Sequence, residues 1–178
     1  MAKWNENAQL VNGDNFLLYL IEGEGTGFTD AKVIAYATSC SLQVDSETID
    51  TSSKFSCKWA SNMGGKASYT ISADALYCQD GMIGSEEYPV DGFTFDKLLE
   101  YMVKGDQVRW VIGEEQEHTG SCETNPHTLD DTKTFYNGKA VVTSVSLNAG
   151  NNEIASCSIS LTGAGEIQIS GKKVGEQA

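Results

Sequence analysis

From Lys66 to Tyr77 the chain alternates between two kinds of side chain. Ala67, Tyr69, Ile71, Ala73, Ala75 and Tyr77 fall on one side, and Lys66, Ser68, Thr70, Ser72 and Asp74 make up most of the other. A period of two is the signature of an extended strand, whose successive side chains point to opposite faces. A strand this long with one polar side belongs to a sheet that is covered on one face and wet on the other. The same pattern runs from Val33 to Val44, where Ile34, Tyr36, Thr38, Cys40, Leu42 and Val44 share a side. Further strands are predicted at Gln107–Gly113, Val141–Leu147, Glu153–Leu161 and Glu166–Ser170. Asn137-Gly138 suits a two-residue hairpin turn, and Asn148–Asn152 suits a longer hairpin loop, so the C-terminal third reads as a β-meander.

One segment departs from this period. Phe95, Leu98, Leu99 and Met102 recur at helical spacing, which predicts a single amphipathic helix over about 93–104. Thr94 is the expected N-cap, Asp96 and Lys104 complement the two ends of the helix dipole, Gly105 suits the left-handed terminator, and Phe93 can staple onto Leu98. Residues 80–91 and 114–133 are acidic and aperiodic and read as surface excursions.

The search for chemistry finds little. The formal net charge is −13, which argues against a surface that grips phosphate by counterion release. Gly23, Gly25 and Gly27 lack the helix N-terminus that a phosphate cradle needs. Cys40, Cys57, Cys78, Cys122 and Cys157 are odd in number and irregularly spaced, which predicts free thiols. His118, Cys122 and His127 match no zinc spacing. The paired carboxylates Glu86/Glu87 and Glu114/Glu115 would point to opposite faces of a strand or be solvated on a loop. No nucleophile has an adjacent base. The expectation is a protein that is not an enzyme, with no catalytic, metal or cofactor-binding residues. The N-terminus has no apolar core of signal-peptide length and no window approaches a membrane span, so synthesis in the cytoplasm and no membrane partner are expected.

The order "AYATSCSLQVDSETIDTSSKFSCKW", "GGKASYTISADALY", "FDKLLEYMVKGDQVRWVIGE" and "YNGKAVVTSVSLNAGNNEIASCSISLTGAGEI" resembles the major tail protein, or tail tube, family of long-tailed bacteriophages. The likeness spans about Val33 to Ile167. It implies one domain over 1–178: a mainly β subunit, β-sandwich or small β-barrel, with one flanking helix. Six such subunits would close into a ring sharing an inner β-barrel, and rings would stack into a hollow conduit in the virion tail of a phage, with synthesis in the host bacterium. The implied partners are further copies of the chain and other tail proteins such as tape measure, tail tip and terminator. DNA would pass through without specific binding. Residues 1–24 and 171–178 would be flexible or inter-ring arms, and 46–54 an inter-subunit loop between a strand ending at Val44 and one beginning near Phe55. Thr48, Ile49, Asp50, Thr51 and Ser52 are the interface candidates, with Ile49 as the apolar anchor. Asp45, Glu47, Asp74 and Glu153 are candidates for the lumen wall. No counterpart in the family matches 114–133.

Two other classes of function fit parts of the sequence. One is the inner tube of a contractile tail or bacterial injection machine, which shares the implied fold. The other is a carbohydrate- or protein-binding β-sandwich, which needs exposed aromatics; Trp59, Trp110 and Tyr69 are available, but Trp110 and Tyr69 lie on apolar alternating faces and read as core.

Overall fold

Among the described residues, a 3-10 turn at Gly13–Asn15 leads into ten strands and one helix. In chain order these are β1 (Phe16–Ile21), β2 (Ala31–Ile34), β3 (Ala37–Asp50), β4 (Asn62–Leu76), β5 (Gly92–Phe93), α1 (Phe95–Lys104), β6 (Gln107–Glu114), β7 (Tyr136–Asn148), β8 (Ser156–Gly163), β9 (Gln168–Ile169) and β10 (Lys172–Lys173). The structure is a computed structural model and describes residues 13–22, 28, 31–34, 37–52, 59–77, 92–116, 127–170 and 172–173. All the strands join one sheet in the order β3-β4-β8-β7-β6-β1-β2-β5, with β9 against β7 and β10 against β9. Among the described residues only β2 and β5 run parallel, and the other pairings are antiparallel.

The sheet curls back on itself. β3 and β1 stand five places apart along it, yet the Cys40 thiol of β3 donates to the Phe16 carbonyl of β1 across 3.6 Å. Inside the curl is the main core, where Leu20, Ile71, Trp110, Ile159 and Leu161 are fully buried together with Leu98 of the helix. The expected mainly β fold with one flanking helix is therefore present as a single sheet curled around its core, with α1 packed against β7.

The helix forms as its sequence requires. Thr94 accepts a hydrogen bond from the Lys97 amide, and Gly105 ends the helix at φ 72° with its own amide bonded to the Tyr101 carbonyl. Phe93 and Leu98 are both buried. On β4 the alternation is equally plain: Tyr69, Ile71, Ala73 and Ala75 are buried, while the residues between them are exposed.

Four expectations are corrected. The run from Val33 to Val44 is two strands, since Ile34 ends β2 and Ala37 begins β3 in a distant part of the sheet. Residues 1–24 are not simply an arm, because Phe16–Ile21 is a strand between β6 and β2; six consecutive apolar residues bury both faces and so show no alternation. At the other end, Lys172–Lys173 pairs with β9 rather than standing off as an arm. Asn137-Gly138 is no turn but lies inside β7, opposite Val111 and Trp110. Glycine is needed there for space, as a Cβ on Gly138 would sit 2.8 Å from the Tyr69 hydroxyl and 3.1 Å from the Trp110 indole. The Asn148–Asn152 loop is a hairpin connection as expected, with Asn152 at φ 65° and the following strand starting at Ser156.

Candidate assembly surface

The outer face of the sheet is treated in two ways. Over β1, β2 and β6 it is covered, with Tyr19, Ile21, Val33, Val111 and Phe135 forming a second apolar cluster against which Leu17, Phe28 and Leu129 pack. Over β3, β4, β8 and β7 the same face carries short polar side chains in register. Ser41, Ser72, Ser160 and Ser144 form one cross-strand row, and Ser39, Asp74, Ser158 and Ser146 the next. The rows are stitched together: Ser158 and Ser39 donate to the two Asp74 carboxylate oxygens at 2.7 and 2.9 Å. Farther along the face Thr162 donates to Thr143 at 3.3 Å. These bonds, from Ser158 first and Ser39 second, hold the Asp74 carboxyl below the usual carboxylate range. The four segments 39–45, 68–74, 143–148 and 156–162 contain no Lys or Arg.

This four-stranded unit has two open edges among the described residues. β3 pairs only with β4, and β7 pairs with β6 only from Tyr136 to Val141, which leaves its second half unpaired on that side. β4 pairs with β8 only from Thr70 to Leu76. Past that point β3 and β4 continue as a two-stranded arm, Asp45–Asp50 against Asn62–Ser68, about 20 Å long at the rise of an extended strand.

Several site candidates lie on this arm. Ser46–Asp50, expected as a loop, is strand paired with β4, and the partner strand starts at Asn62, with Phe55 outside the described residues. Ile49 is opposite Met63, both half-exposed. Thr48 and Asp50 fall on the other side, opposite Gly64 and Asn62. Thr51 and Ser52 close the ladder: the Thr51 amide and hydroxyl donate to the Ser61 carbonyl, Ser52 receives the Ser61 amide, and the Ser52 amide donates to Asp50 at 2.8 Å. Hydrogen bonding with Ser52 lowers the Asp50 carboxyl below its ordinary value. These groups hold the arm's own end together, so Thr48 and Ile49 are the candidates of the five left facing outward.

The four lumen candidates separate in the same way. Asp45 and Asp74 share the hydroxyl-bearing face, with Asp45 accepting from Gln43 on the same strand. Glu47 sits at a β-bulge between Ser46 and Thr48 and packs over Gly65, where a Cβ would meet it at 3.1 Å. The extra residue lies on β4, where Gly65 and Lys66 stand opposite Glu47 alone, so β3 keeps its alternation and Glu47 stays on the side of Asp45. Glu153 lies in the β7–β8 turn with its carboxylate folded over Gly150. The serines and threonines of β7 and β8 were not singled out from sequence, although polar residues at alternate positions of 156–162 are the signal that marks them.

Only the two ends of the 114–133 segment are among the described residues. Glu114 ends β6, Glu115 bridges to Leu129, and His127 contacts Glu115. Lys133 pairs with Glu114 at 2.6 Å and with Asp130 at 3.9 Å. His118 and Cys122 lie outside the described residues, as do Cys57 and Cys78. Cys40 and Cys157 are free thiols, both raised by burial. Trp110 and Tyr69 are core, and Trp59 is exposed.

Residues 10–88 match the family model described as phage tail tube protein. A chain from the tail of an empty gene transfer agent (GTA) particle, refined with C6 symmetry, superposes with a TM-score of 0.63 at 18% identity, covering 89% of this chain and 98% of that one. The SPP1 tail tube superposes at 0.58 and 12% identity, covering 88% and 77%. The fold is the tail tube fold. A chain of the anti-feeding prophage baseplate shares it at a TM-score of 0.51 and 11% identity, over 90% and 95%. Among curated protein sequences none matches the chain. The resemblance read from the order of strands and helix thus holds at the level of the fold, and in this chain the hydroxyl-rich face lies on β3, β4, β8 and β7.

Proposed function

We propose that this chain is a structural subunit of a phage tail tube, in which β3, β4, β8 and β7 of each copy line the lumen. The observation that carries the reading is a bare hydroxyl face on a four-stranded unit whose two edges are open. A free edge templates further pairing, and only closure removes it. The strands of the unit alternate in direction, so β3 of one copy meets β7 of the next antiparallel, and every junction of a closed ring is then equivalent. Sixfold closure accords with the C6 symmetry of the gene transfer agent tail.

The wall so formed suits passage of DNA. Short hydroxyls bonded to their own neighbours offer phosphates no cation, and Asp45, Glu47 and Asp74 outweigh Lys66, which β4 carries on the same side, so a passing polyanion is repelled rather than held. The arm of β3 and β4 contacts a neighbouring copy through Thr48 and Ile49, and the subunit resides in the virion tail with the other tail proteins. Nothing in this role requires catalysis.

Electron microscopy and light scattering at rising protein concentration, alone and with tail tip proteins, test the proposal. Rings or tubes are expected. A protein that stays monomeric under every condition overturns it.

A further inference from the structure

Asn-Gly occurs twice in the chain, at Asn12-Gly13 and Asn137-Gly138. It is the dipeptide in which an asparagine side chain is most easily attacked by the following backbone amide, because glycine has no Cβ to block the approach. Asn12 lies outside the described residues. Asn137-Gly138 stands in the interior of β7, the strand that pairs with β6, β8 and β9. Glycine is required there, since a Cβ at 138 would collide with Tyr69 and Trp110. The fold thus holds a reactive pair of residues inside its sheet.

Three features keep the pair from reacting. The Asn137 side chain is 8% exposed, and its Nδ2 donates to Gln168 Oε1 at 3.1 Å. The Gly138 nitrogen, which would be the nucleophile, is turned toward another strand. Ser170 donates to the Phe135 carbonyl and Ala164 to the Lys139 carbonyl, both at 2.7 Å, and the backbone groups of alternate residues point to opposite neighbours. Gly138 therefore directs its amide at β6, where it stands opposite Trp110. Lastly, an extended strand holds side chains perpendicular to the sheet and amides within it, so ring closure requires residue 137 to leave the strand conformation.

We infer that Asn137-Gly138 is a modification site that the folded sheet keeps closed and unfolding opens, so that the chain carries a one-way chemical record of having unfolded. In the open chain the Gly138 nitrogen bonds to Asn137 Cγ as the Cγ–Nδ2 bond breaks, and the Gly138 amide proton leaves with Nδ2 as ammonia. Water then adds to either carbonyl of the cyclic imide and opens it, which leaves an aspartate or an isoaspartate at 137. Neither suits β7. Aspartate puts a charged oxygen at a buried position where Nδ2 now meets Gln168 Oε1. Isoaspartate adds one atom to the main chain and shifts everything beyond it against β6 and β8, where Ala140 and Val142 belong to the core and Ser144 and Ser146 to the hydroxyl face. None of this depends on the tail tube reading.

In the test the full chain is incubated at mildly alkaline pH in native buffer and in guanidinium chloride, and the peptide spanning 137 and 138 is weighed by mass spectrometry. In denaturant Asn137 is expected to gain one mass unit at a rate close to that of Asn12, which has the same following residue. In native buffer it should react at least about a hundredfold more slowly, as chemistry confined to a minor open population does. After dilution of the denatured sample, chains modified at 137 should be depleted about tenfold in the refolded fraction. Equal rates for Asn137 in the two buffers overturn the inference, and so does an Asn137 that stays intact in denaturant while Asn12 converts. Modified 137 shared equally between refolded and unfolded chains overturns the one-way step.

Discussion

β1 and β3 are strands of one sheet with opposite fates. β1 is only Phe16–Ile21, yet Leu18 and Leu20 enter the main core while Tyr19 and Ile21 enter the second cluster, so it is covered on both faces. β3 is more than twice as long, and outside Cys40 and Leu42 it is exposed throughout. The burial of Tyr19 is deep enough that its phenol is pushed well above its ordinary value, by desolvation first and Glu115 second. The lesson is that burial and exposure are assigned to different strands. The β1–β6 side holds the monomer together, and the β3–β4 side presents, among the described residues, unpaired edge and unburied surface that the proposed assembly would cover.

The comparison breaks most sharply at Trp110. Its indole is fully buried between Tyr69 and Gly138, with the rings of Tyr69 and Trp110 5.5 Å apart. Trp110→Ala is expected to destabilise the monomer by ~3–5 kcal/mol in urea unfolding, the range for large aromatic truncations. A loss below ~1 kcal/mol would mean that the core does not reside where the sheet curls.

A smaller loss is expected where space, rather than contact, is limiting. A Cβ on Gly163 would lie 2.5 Å from the Tyr69 ring. Tyr69 is pinned on the far side, donating to the Lys139 carbonyl and accepting from the Trp110 indole. Gly163→Ala should therefore cost ~1–3 kcal/mol by overpacking, read as a shift in the urea midpoint at unchanged slope. An unchanged midpoint would show that the Tyr69 ring can move aside.

Thr94 comes next. It is 2% exposed and caps α1, so Thr94→Ala should cost ~1 kcal/mol in thermal or urea unfolding. Thr94→Ser should restore most of it, and failure of that rescue would assign the loss to the buried methyl instead.

How much of this the sequence disclosed follows from the same contrast. The helix, its caps and the alternation of β4 were legible because each depends on neighbours in the chain. β1 was not, since burial on both faces erases the period that marks a strand. Asn137-Gly138 misled because local turn preference was overridden by the distant ring of Tyr69. The arm read as a loop because Ser, Thr and Asp are turn formers, and pairing with Asn62–Gly64 across the hairpin is invisible locally. Glu47 could not be placed without coordinates, as only the pairing shows that the extra residue of the bulge lies on β4 and leaves Glu47 on the side of Asp45. The hydroxyl face needed the register of four strands at once, whereas each strand by itself shows only a polar side.

On the exposed side of the comparison, Ile49→Asn should change monomer stability by less than ~0.5 kcal/mol, as surface substitutions do. Its effect should be on assembly, with rings or tubes reduced at a protein concentration where the parent forms them. Loss of the monomer fold would place Ile49 with the core and erase the distinction between the two regions; normal assembly would remove it from the seam.

The smallest effect belongs to Asp74, at the centre of the hydroxyl face. Its carboxylate accepts from Ser158 and Ser39, which lowers its folded-state value below the ordinary carboxylate one. A group lowered on folding stabilises the native state above its unfolded value, and that contribution is lost as pH falls through the lowered value. Acidification below about pH 4 should therefore weaken the parent slightly through this residue, and Asp74→Asn should lack that part of the decline. Because Asp74 is exposed to solvent, screening keeps the difference small. Acid unfolding curves of parent and Asp74→Asn that coincide in slope from pH 5 to pH 3 would show that the Ser158 and Ser39 bonds do not favour the ionised form. The result bears on the proposed wall as well, because a carboxylate whose neighbours favour its ionised form keeps its negative charge to lower pH than an ordinary one.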